Sequence, residues 1–417
     1  NLIGSGLCTR RNMLSTSKYI YFFRGSLASH VDIYRGWVEL ARENGLNMSM
    51  LTILDIKTYY KQKEKIKHYK KYSYINILIT PIPLLIKPII YVYMIGLSLK
   101  YKNIVVHLRK QSPEIFNRLK TLFGNRIKYL IEIEGDLKSE MEYLIKNPYK
   151  PYFYDRIINH SKKELEIFAK RLKKADHILV VTENLKILFI DRYSSLDLVN
   201  KISVMPTGAD ANVFFYNEEL RQKQRERLNI LDRFVFIFIG NVFYSWQNLK
   251  RTLNVFKVIK KSNIINNPYI ILLIRSQDNK IAKEFINMVD LNENDYLLTS
   301  VNHDEVNAYL NASEVGILLR DNHLMNNVVS SGKLGEYLAA GLPVLISKGI
   351  SNYSELVKSE GFGVVLNNFY DDNEIIRKIP LIINDSNRNE RSKWAKSVFS
   401  MQAYKDTYIS LLKKLAN

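Results

Sequence analysis

SSGKLGEYLAAGLPVLIS, residues 330–347, is the stretch of this chain that says most about its fold. Its first half has helical spacing, since Leu334 and Leu338 lie one turn apart and form a stripe that should face a core. Gly341 and Pro343 then end the helix and lead directly into an apolar run. A helix followed at once by a short, continuous apolar strand is typical of an α/β protein with a buried parallel sheet.

The same alternation of apolar runs and amphipathic segments continues through the chain in two series, separated by the turn-rich break PTGAD at 206–210. The predicted strands are 19–23, 48–54, 74–80, 104–108, 127–133, 178–181 and 201–205, and then 234–239, 269–274, 296–299, 315–319 and 343–347. This pattern predicts an α/β fold with two doubly wound, Rossmann-like domains facing a central cleft. We place the domains at 1–208 and 209–398, with a C-terminal helix, 399–417, packing back on the first domain.

The beginning of the quoted helix suits an anion. Ser330 or Ser331 can cap the helix, and Gly332 leaves backbone N–H groups open to close approach. Lys333 adds positive charge to the positive end of the helix dipole. Glu336 points away from the leucine stripe, and its carboxylate can accept two hydrogen bonds. A diphosphate fits the first group and ribose hydroxyls fit the carboxylate, although a lysine and a glutamate that simply face water would give the same pattern.

The segment GKLGEYLAAGLPV, residues 332–344, resembles the donor-site signature of retaining GT-B glycosyltransferases, and more narrowly the capsule and cell-surface polysaccharide branch of the "glycosyl transferases group 1" family. Weaker matches follow in that family's order: IVVHLR at 104–109, IEIEG at 131–135, ADHILVVT at 175–182, ISVMPTGAD at 202–210, FIGN at 238–241 and VGILL at 315–319. Their order and spacing together make the resemblance specific, and it covers roughly residues 19–415.

The resemblance implies a retaining glycosyltransferase that moves a sugar from a nucleotide-diphosphate sugar to a hydroxyl of a glycan or lipid-linked acceptor in surface polysaccharide synthesis. It implies that Glu336 holds the nucleotide ribose and that residues 330–334 hold the diphosphate. The candidate nucleotide-binding residues, besides Glu336, are Gly25, Ser26, Gly240, Asn241, Arg275, Arg320, Ser331, Gly332, Lys333 and Leu334. No metal ion or other cofactor is implied, because the helix dipole and basic side chains would neutralise the leaving diphosphate.

Two further features bear on catalysis. His107 is predicted at the carboxyl end of a strand, where it could contact donor or acceptor, so we count it with Glu336 as a candidate catalytic residue. A histidine without a chemical role fits the same position equally well. Glu134 and Asp136 are spaced like the metal-binding D-x-D of the GT-A fold, but the surrounding pattern is that of GT-B.

The chain departs from the family pattern in three places. Val328 occupies the position of a glutamate that the family often has and that is associated with the transferred sugar. The arginine and lysine usual after the glycine turn are replaced in NVFYSWQN at 241–248, and the glycine-rich N-terminal loop is reduced to Gly25 and Ser26. The alternative hypothesis is therefore a non-catalytic GT-B-fold subunit or scaffold of a polysaccharide assembly.

The charge of the chain favours anionic partners, since its formal net charge is +20. KTYYKQKEKIKHYKK at 57–71 contains seven lysines and one glutamate, and is either a solvated helix face or a docking site for anionic lipid. Nucleic acid is the least favoured partner, because no recognised nucleic-acid module is present. The apolar run at 74–99 contains three prolines and Lys87, which favours a buried strand and an apolar helix over a transmembrane span.

The location expected from the sequence is cytoplasmic. Cys8 is the single cysteine of the chain, so an intramolecular disulfide is excluded and a reducing compartment is favoured. Residues 1–18 lack the apolar core of a signal peptide. Peripheral attachment to the inner face of the plasma membrane is the open alternative, and the sequence does not indicate an oligomeric state.

Overall fold

The computed structural model describes residues 15–24, 27–109, 117–147, 154–242, 245–383 and 387–417. The strands in these ranges are β1 Ser15–Phe22, β2 Met48–Asp55, β3 Ile75–Thr80, β4 Tyr101–Arg109, β5 Ile127–Ile133, β6 His177–Val180, β7 Ile202–Val204, β8 Phe234–Gly240, β9 Pro268–Ile274, β10 Tyr296–Thr299, β11 Val315–Leu318, β12 Val344–Ser347 and β13 Gly363–Leu366. The α-helices are α1 Leu27–Glu43, α2 Ile56–Lys61, α3 Lys63–Tyr69, α4 Ile86–Lys100, α5 Asn117–Phe123, α6 Leu137–Lys146, α7 Tyr154–Lys174, α8 Glu183–Arg192, α9 Glu218–Leu228, α10 Leu249–Lys261, α11 Asn279–Val289, α12 Val306–Ala312, α13 Leu324–Asn327, α14 Gly332–Ala339, α15 Tyr353–Ser359, α16 Asp372–Lys378, α17 Pro380–Ile383, α18 Arg388–Phe399 and α19 Lys405–Ala416.

The strands form two sheets with the same winding. The first has the order β3-β2-β1-β4-β5-β6-β7 and the second β10-β9-β8-β11-β12-β13. Neighbouring strands pair in parallel, as in β1 with β4 and β8 with β11. In each sheet the chain builds outward from one strand and then reverses to its other side, between β1 and β4 and between β8 and β11. These results confirm the predicted α/β class with two doubly wound sheets, in which such reversal points are where ligands bind at the carboxyl strand ends.

The second sheet is covered on both faces, which explains why its strands are continuous apolar runs. One core lies between the sheet and α10, α11 and α16, and includes Phe236, Phe256 and Ile286. The other lies beneath α12, α14, α15 and α18, and includes Leu334 and Leu338, as the sequence predicts. Helix α14 is therefore fixed to the sheet along one side, and its N-terminus lies close to the carboxyl ends of the strands.

Two predicted features of the sheets need correction. The strand β13 is absent from the sequence-based assignment, although it forms an edge of the second sheet. The strand β3, predicted to be buried, is an edge strand of the first sheet, and Ile79 within it is exposed. Among the described helices, the segment Pro83–Lys100 has the length and apolar composition of a membrane span, and only 22% of it is buried.

The chain divides into two compact units. The described residues of the first fall within Asn1–Glu132, Lys174–His177 and Thr407–Asn417, and those of the second within Ile133–Lys173 and Ile178–Asp406. The C-terminal end of the chain thus belongs to the same unit as β1–β4, and Asn103 donates a 2.6 Å hydrogen bond to the carbonyl oxygen of Ala416. The domain boundaries 1–208 and 209–398, and the roles assigned to those domains, stay predictions.

Candidate functional site

Ser331 occupies the N-cap position of α14, directly before the first helical residue, and has extended backbone angles. Its hydroxyl makes no capping hydrogen bond to the helix. The hydroxyl instead lies 3.4 Å from the Nη2 atom of Arg320. The neighbouring Ser330 hydroxyl is 2.6 Å from the Tyr353 hydroxyl, which fixes the residues that precede the helix. Backbone N–H groups in the first helical turn are thus left without the side-chain cap that the sequence predicts, and an anion could accept from them.

Arg320 brings a buried positive charge to this helix end. It follows β11 and is held through its backbone, whose N–H donates to Ser347 Oγ at 2.8 Å and whose carbonyl oxygen accepts from the same hydroxyl at 2.7 Å. The Nε atom of Arg320 is buried without a hydrogen-bond partner in the described part of the chain. Burial lowers the pKa of Arg320 to about 10. A buried guanidinium with an unused donor is expected where an anionic ligand supplies the missing acceptor.

Lys333 lies in the first turn of α14 and is half-buried. Its ammonium donates a hydrogen bond to the side-chain oxygen of Gln247. The pKa of Lys333 is lowered to about 7, mainly by burial and then by the positive charge of Arg320, while Arg275 acts in the same direction. Arg275 itself is exposed and directly follows β9. Arg320 and Arg275, which come from two other segments, thus lie close enough to Lys333 to destabilise its protonated form. A bound anion would remove this destabilisation.

Glu336 is located one turn further along the helix. A Cβ atom added to Gly332 would lie 3.9 Å from its Oε1 atom, so the carboxylate lies over the first helical turn. Burial raises the pKa of Glu336, and the positive charges of His303 and Lys333 act against that rise. The carboxylate thus lies close to the cationic group, and both of its oxygens can accept hydrogen bonds. Two hydroxyl groups on adjacent carbon atoms, such as those of a ribose, would satisfy it.

The end of β8 supplies the other side of this region. Gly240 is the last residue of that strand, and a Cβ atom there would lie only 2.4 Å from the ring of Phe238 and 3.5 Å from Gln247 Oε1. A side chain at this position would therefore collide with the strand's own phenylalanine. Asn241 follows and is half-buried. Residues 243 and 244, which continue the predicted loop, lie outside the described residues.

Tyr337 anchors α14 to the sheet directly beneath these groups. Its hydroxyl accepts a 3.2 Å hydrogen bond from the backbone N–H of Ile239 and lies 3.4 Å from the carbonyl oxygen of Ile317. Its ring lies over Gly316, where an added Cβ atom would be 2.5 Å away. The helix start is thereby tied to both strands at the reversal point of the second sheet.

The structure brings together most of the predicted nucleotide-binding residues at this one place. The N-terminal turn of α14 and the ends of β8, β9 and β11 carry Gly240, Asn241, Arg275, Arg320, Ser331, Gly332, Lys333 and Glu336. Leu334 is the exception, because its side chain is buried in the core and can contribute only its backbone. Gly25 and Ser26 lie outside the described residues.

Three side chains in this region were not predicted from the sequence. Gln247 holds the Lys333 ammonium, His303 acts on the Glu336 carboxylate, and Tyr337 anchors the helix. Tyr337 is within the motif, so its position beside Glu336 could have drawn attention to it. Gln247 and His303 come from distant segments and have no local pattern that marks them.

His107 belongs to a separate buried cluster in the first unit. It lies inside β4 rather than beyond its end, and is 1% exposed. Its Nδ1 atom is 2.8 Å from the Tyr408 hydroxyl, and its Nε2 atom is 3.2 Å from a carboxylate oxygen of Glu132. The Arg109 guanidinium lies 3.5 Å above the ring of Tyr34. Both ring nitrogens thus face groups of the protein, and the catalytic role of His107 stays a prediction.

Asp136, the second acidic residue of the E-G-D pattern, has a structural environment. Its side chain accepts a 3.0 Å hydrogen bond from the backbone N–H of Ser139 and caps α6. It also forms a 2.5 Å ion pair with Arg192. Across the described ranges, no group of three or more His, Cys, Asp or Glu side chains is arranged to hold a metal ion.

Comparison with known proteins places this site in the matched region. Residues 220–399 match the model of the family "Glycosyl transferases group 1". This match agrees with the family resemblance of residues 332–344. No curated protein sequence matches the chain significantly.

Solved structures resemble the whole chain. A glycosyltransferase from Rickettsia africae is 16% identical with a TM-score of 0.65, covering 96% of this chain and 98% of that one. Anabaena Alr3699/HepE, solved in complex with UDP-glucose, is 13% identical with a TM-score of 0.64, covering 95% and 99%. WaaG, a glycosyltransferase involved in lipopolysaccharide biosynthesis, is 12% identical with a TM-score of 0.57, covering 96% and 98%. These likenesses confirm the GT-B fold.

Proposed function

We propose that this chain is a retaining glycosyltransferase that transfers a sugar from a nucleotide-diphosphate sugar to a hydroxyl of a glycan or lipid-linked acceptor. One observation carries the proposal: the buried Arg320 guanidinium, the Lys333 ammonium and the Glu336 carboxylate meet at the uncapped N-terminus of α14. A nucleoside diphosphate has the complementary arrangement of a dianion beside a ribose. The family match over residues 220–399 and the UDP-glucose bound to a protein of the same fold support this assignment.

Surface polysaccharide synthesis is the proposed setting. The resemblance of residues 332–344 to the capsule and cell-surface polysaccharide branch supports it, as does the GT-B fold shared with WaaG. The acceptor would then be a growing glycan, and the alternative acceptor class is a sugar on a lipid carrier.

The proposed chemistry depends on stabilising the leaving group. As the bond between the sugar's anomeric carbon and the phosphate oxygen breaks, negative charge develops on the diphosphate. Arg320, Lys333 and the N–H groups of α14 would stabilise that charge without having to reorient. The acceptor oxygen forms the new bond on the face that the diphosphate leaves, which retains the configuration, and its proton passes to the departing phosphate oxygen.

Donor turnover by the purified full chain tests this proposal. UDP-, GDP- and dTDP-sugars are each incubated with the protein, and release of the nucleoside diphosphate is measured with and without glycan acceptors. Turnover of one donor class is expected, and Lys333→Ala or Glu336→Ala should each reduce it by about a hundred-fold or more. Glu355→Ala and Lys358→Ala are matched controls, because both side chains are exposed on the neighbouring helix α15. Full activity in the Lys333 and Glu336 variants would show that this site is wrongly assigned.

A non-catalytic GT-B-fold subunit is the second candidate function. It is favoured by Val328, which is buried where the family often has a glutamate, and whose carbonyl oxygen accepts a 2.7 Å hydrogen bond from Thr182. Nucleotide binding that is weakened by Lys333→Ala, without release of nucleoside diphosphate from any donor, would favour this candidate over the enzyme.

A further inference from the structure

Helix α4 has an apolar outer face. Its inner face is a stripe at four-residue spacing that is buried in the first unit: Ile86, Ile90, Met94 and Ser98. On the opposite side Val92, Ile95 and Leu99 follow helical spacing, and Val92 and Leu99 are 72% and 73% exposed. The outer face of a surface helix ordinarily carries polar and charged side chains. An apolar face of this kind marks an interaction site.

The loop before α4 is apolar as well, and it directly follows the carboxyl end of β3. Ile82, Leu84 and Leu85 are all exposed, and Leu84 is 81% exposed. We define the docking surface as Ile82, Leu84, Leu85, Val92, Ile95 and Leu99. Its six members come from one continuous stretch of chain, three from the loop and three from the outer face of α4.

Lysines border the docking surface. Asp55 at the end of β2 is paired with Thr80 at the end of β3, so the start of α2 lies beside the loop that begins the docking surface. Helix α2 contributes Lys57 and Lys61, and α4 contributes Lys87, all exposed. Residues 56–102 contain ten lysines and one glutamate, and all ten lysines are exposed. Exposed apolar side chains bordered by lysines have the composition of a surface that lies on anionic lipid.

We propose that the docking surface binds peripherally to an anionic lipid bilayer. The apolar side chains would enter the headgroup region while the lysines contact lipid phosphates. A transmembrane span does not fit, because α4 connects β3 to β4 and its inner stripe is buried in the folded unit. A second copy of the chain is disfavoured, because facing surfaces would bring the same lysines together. Lipid binding requires no sugar donor, so this inference stands or fails separately from the proposed function.

Vesicle sedimentation tests the proposal with the full chain. Vesicles of phosphatidylcholine are compared with vesicles of phosphatidylcholine mixed with phosphatidylglycerol, at low and high salt. The protein should bind the anionic vesicles, and salt should weaken that binding. The variant Leu84→Gln/Val92→Gln/Leu99→Gln should lose at least about ten-fold in partition coefficient.

A second variant isolates the charges, since Lys57→Gln/Lys61→Gln/Lys87→Gln should lose about a hundred-fold on anionic vesicles. All six substituted side chains are exposed, so the thermal melting temperature should stay native. The matched control is Leu231→Gln/Met288→Gln/Leu381→Gln, which removes three exposed apolar side chains from the other unit and should bind like the native chain.

Two outcomes would overturn the proposal. One is native binding by the apolar triple variant, which would exclude the docking surface. The other is failure of the native chain to bind anionic vesicles. If the native chain then sediments as a dimer and the apolar triple variant as a monomer, the docking surface joins two copies of the chain and does not bind lipid.

Discussion

Affinity for the nucleotide-sugar donor should fall as the pH rises through about 7, because in the proposed site Lys333 must be protonated to hold the diphosphate. The pKa of Lys333 is lowered to about 7, first by burial and then by Arg320, with Arg275 and Glu336 acting in opposite directions. A bound diphosphate adds two negative charges and raises this pKa towards its ordinary value of 10.5. Binding at higher pH therefore takes up a proton, and the affinity should fall by up to about ten-fold for each pH unit above 7.

Isothermal titration calorimetry over a pH series measures this dependence. The donor identified by turnover is a suitable ligand, because the diphosphate of a nucleotide sugar is esterified at both ends and has no proton to lose near neutral pH. Two buffers of different ionisation enthalpy report the proton uptake directly. Lys333→Arg is the matched variant, because a guanidinium stays charged over the whole pH series. The affinity of this variant for the ligand should therefore not depend on pH.

Two results would refute this reasoning. A native affinity that is constant between about pH 6 and pH 9 would mean that Lys333 does not titrate on binding. A Lys333→Met variant that keeps the native slope would assign the titration to another group, such as Glu336.

Three substitutions test how the site and its surroundings are built. Gly316→Ala should destabilise the second unit by about 1–3 kcal/mol and weaken nucleotide binding, because the added methyl group would be 2.5 Å from the Tyr337 ring. Thermal melts measure the stability and calorimetry the binding, and an unchanged melting temperature would contradict this prediction. Val328→Glu should cost about 3–5 kcal/mol, because the carboxylate would be buried at a site that is 2% exposed; restored or increased donor turnover in a stable variant would contradict this. Tyr408→Phe should destabilise the first unit by about 1–3 kcal/mol by leaving His107 Nδ1 without its partner, and should leave UDP affinity native; reduced UDP affinity would indicate that the His107 cluster contributes to the nucleotide site.

The buried parallel strands could be predicted because each is a continuous apolar run that a helical segment separates from the next. The strand β13, Gly363–Leu366, was missed because it begins at a glycine, unlike the predicted four-residue strands β6, β10, β11 and β12. The exposed edge position of β3 could not be predicted, since an edge strand and a central strand of a parallel sheet share the same apolar composition. Only the order of strands in the sheet distinguishes them.

Helical spacing predicts the part of the candidate site that lies on one helix, whereas Asn241, Arg275 and Arg320 were predicted through the family resemblance. Lys333 and Glu336 lie on α14, so helical spacing alone places them at one end and on one face. Gln247 and His303 reach the same helix from other segments of the second unit, and no spacing rule relates them to it. His107 was expected at the end of its strand, but it lies inside β4 and contacts Tyr408 of α19. Neither the end of β4 nor the contact with α19 follows from local sequence, because both are set by tertiary packing.

Binding of UDP and of inorganic pyrophosphate to two variants tests most directly whether the start of α14 is a nucleotide-diphosphate site. Lys333→Met should weaken both ligands, because each presents a diphosphate to the helix N-terminus. Glu336→Gln should weaken UDP by about 10–100-fold, through loss of hydrogen bonds from the ribose to a charged acceptor, and leave pyrophosphate affinity native. If Glu336→Gln changes both ligands equally, or if neither variant changes UDP affinity, the nucleotide does not bind there.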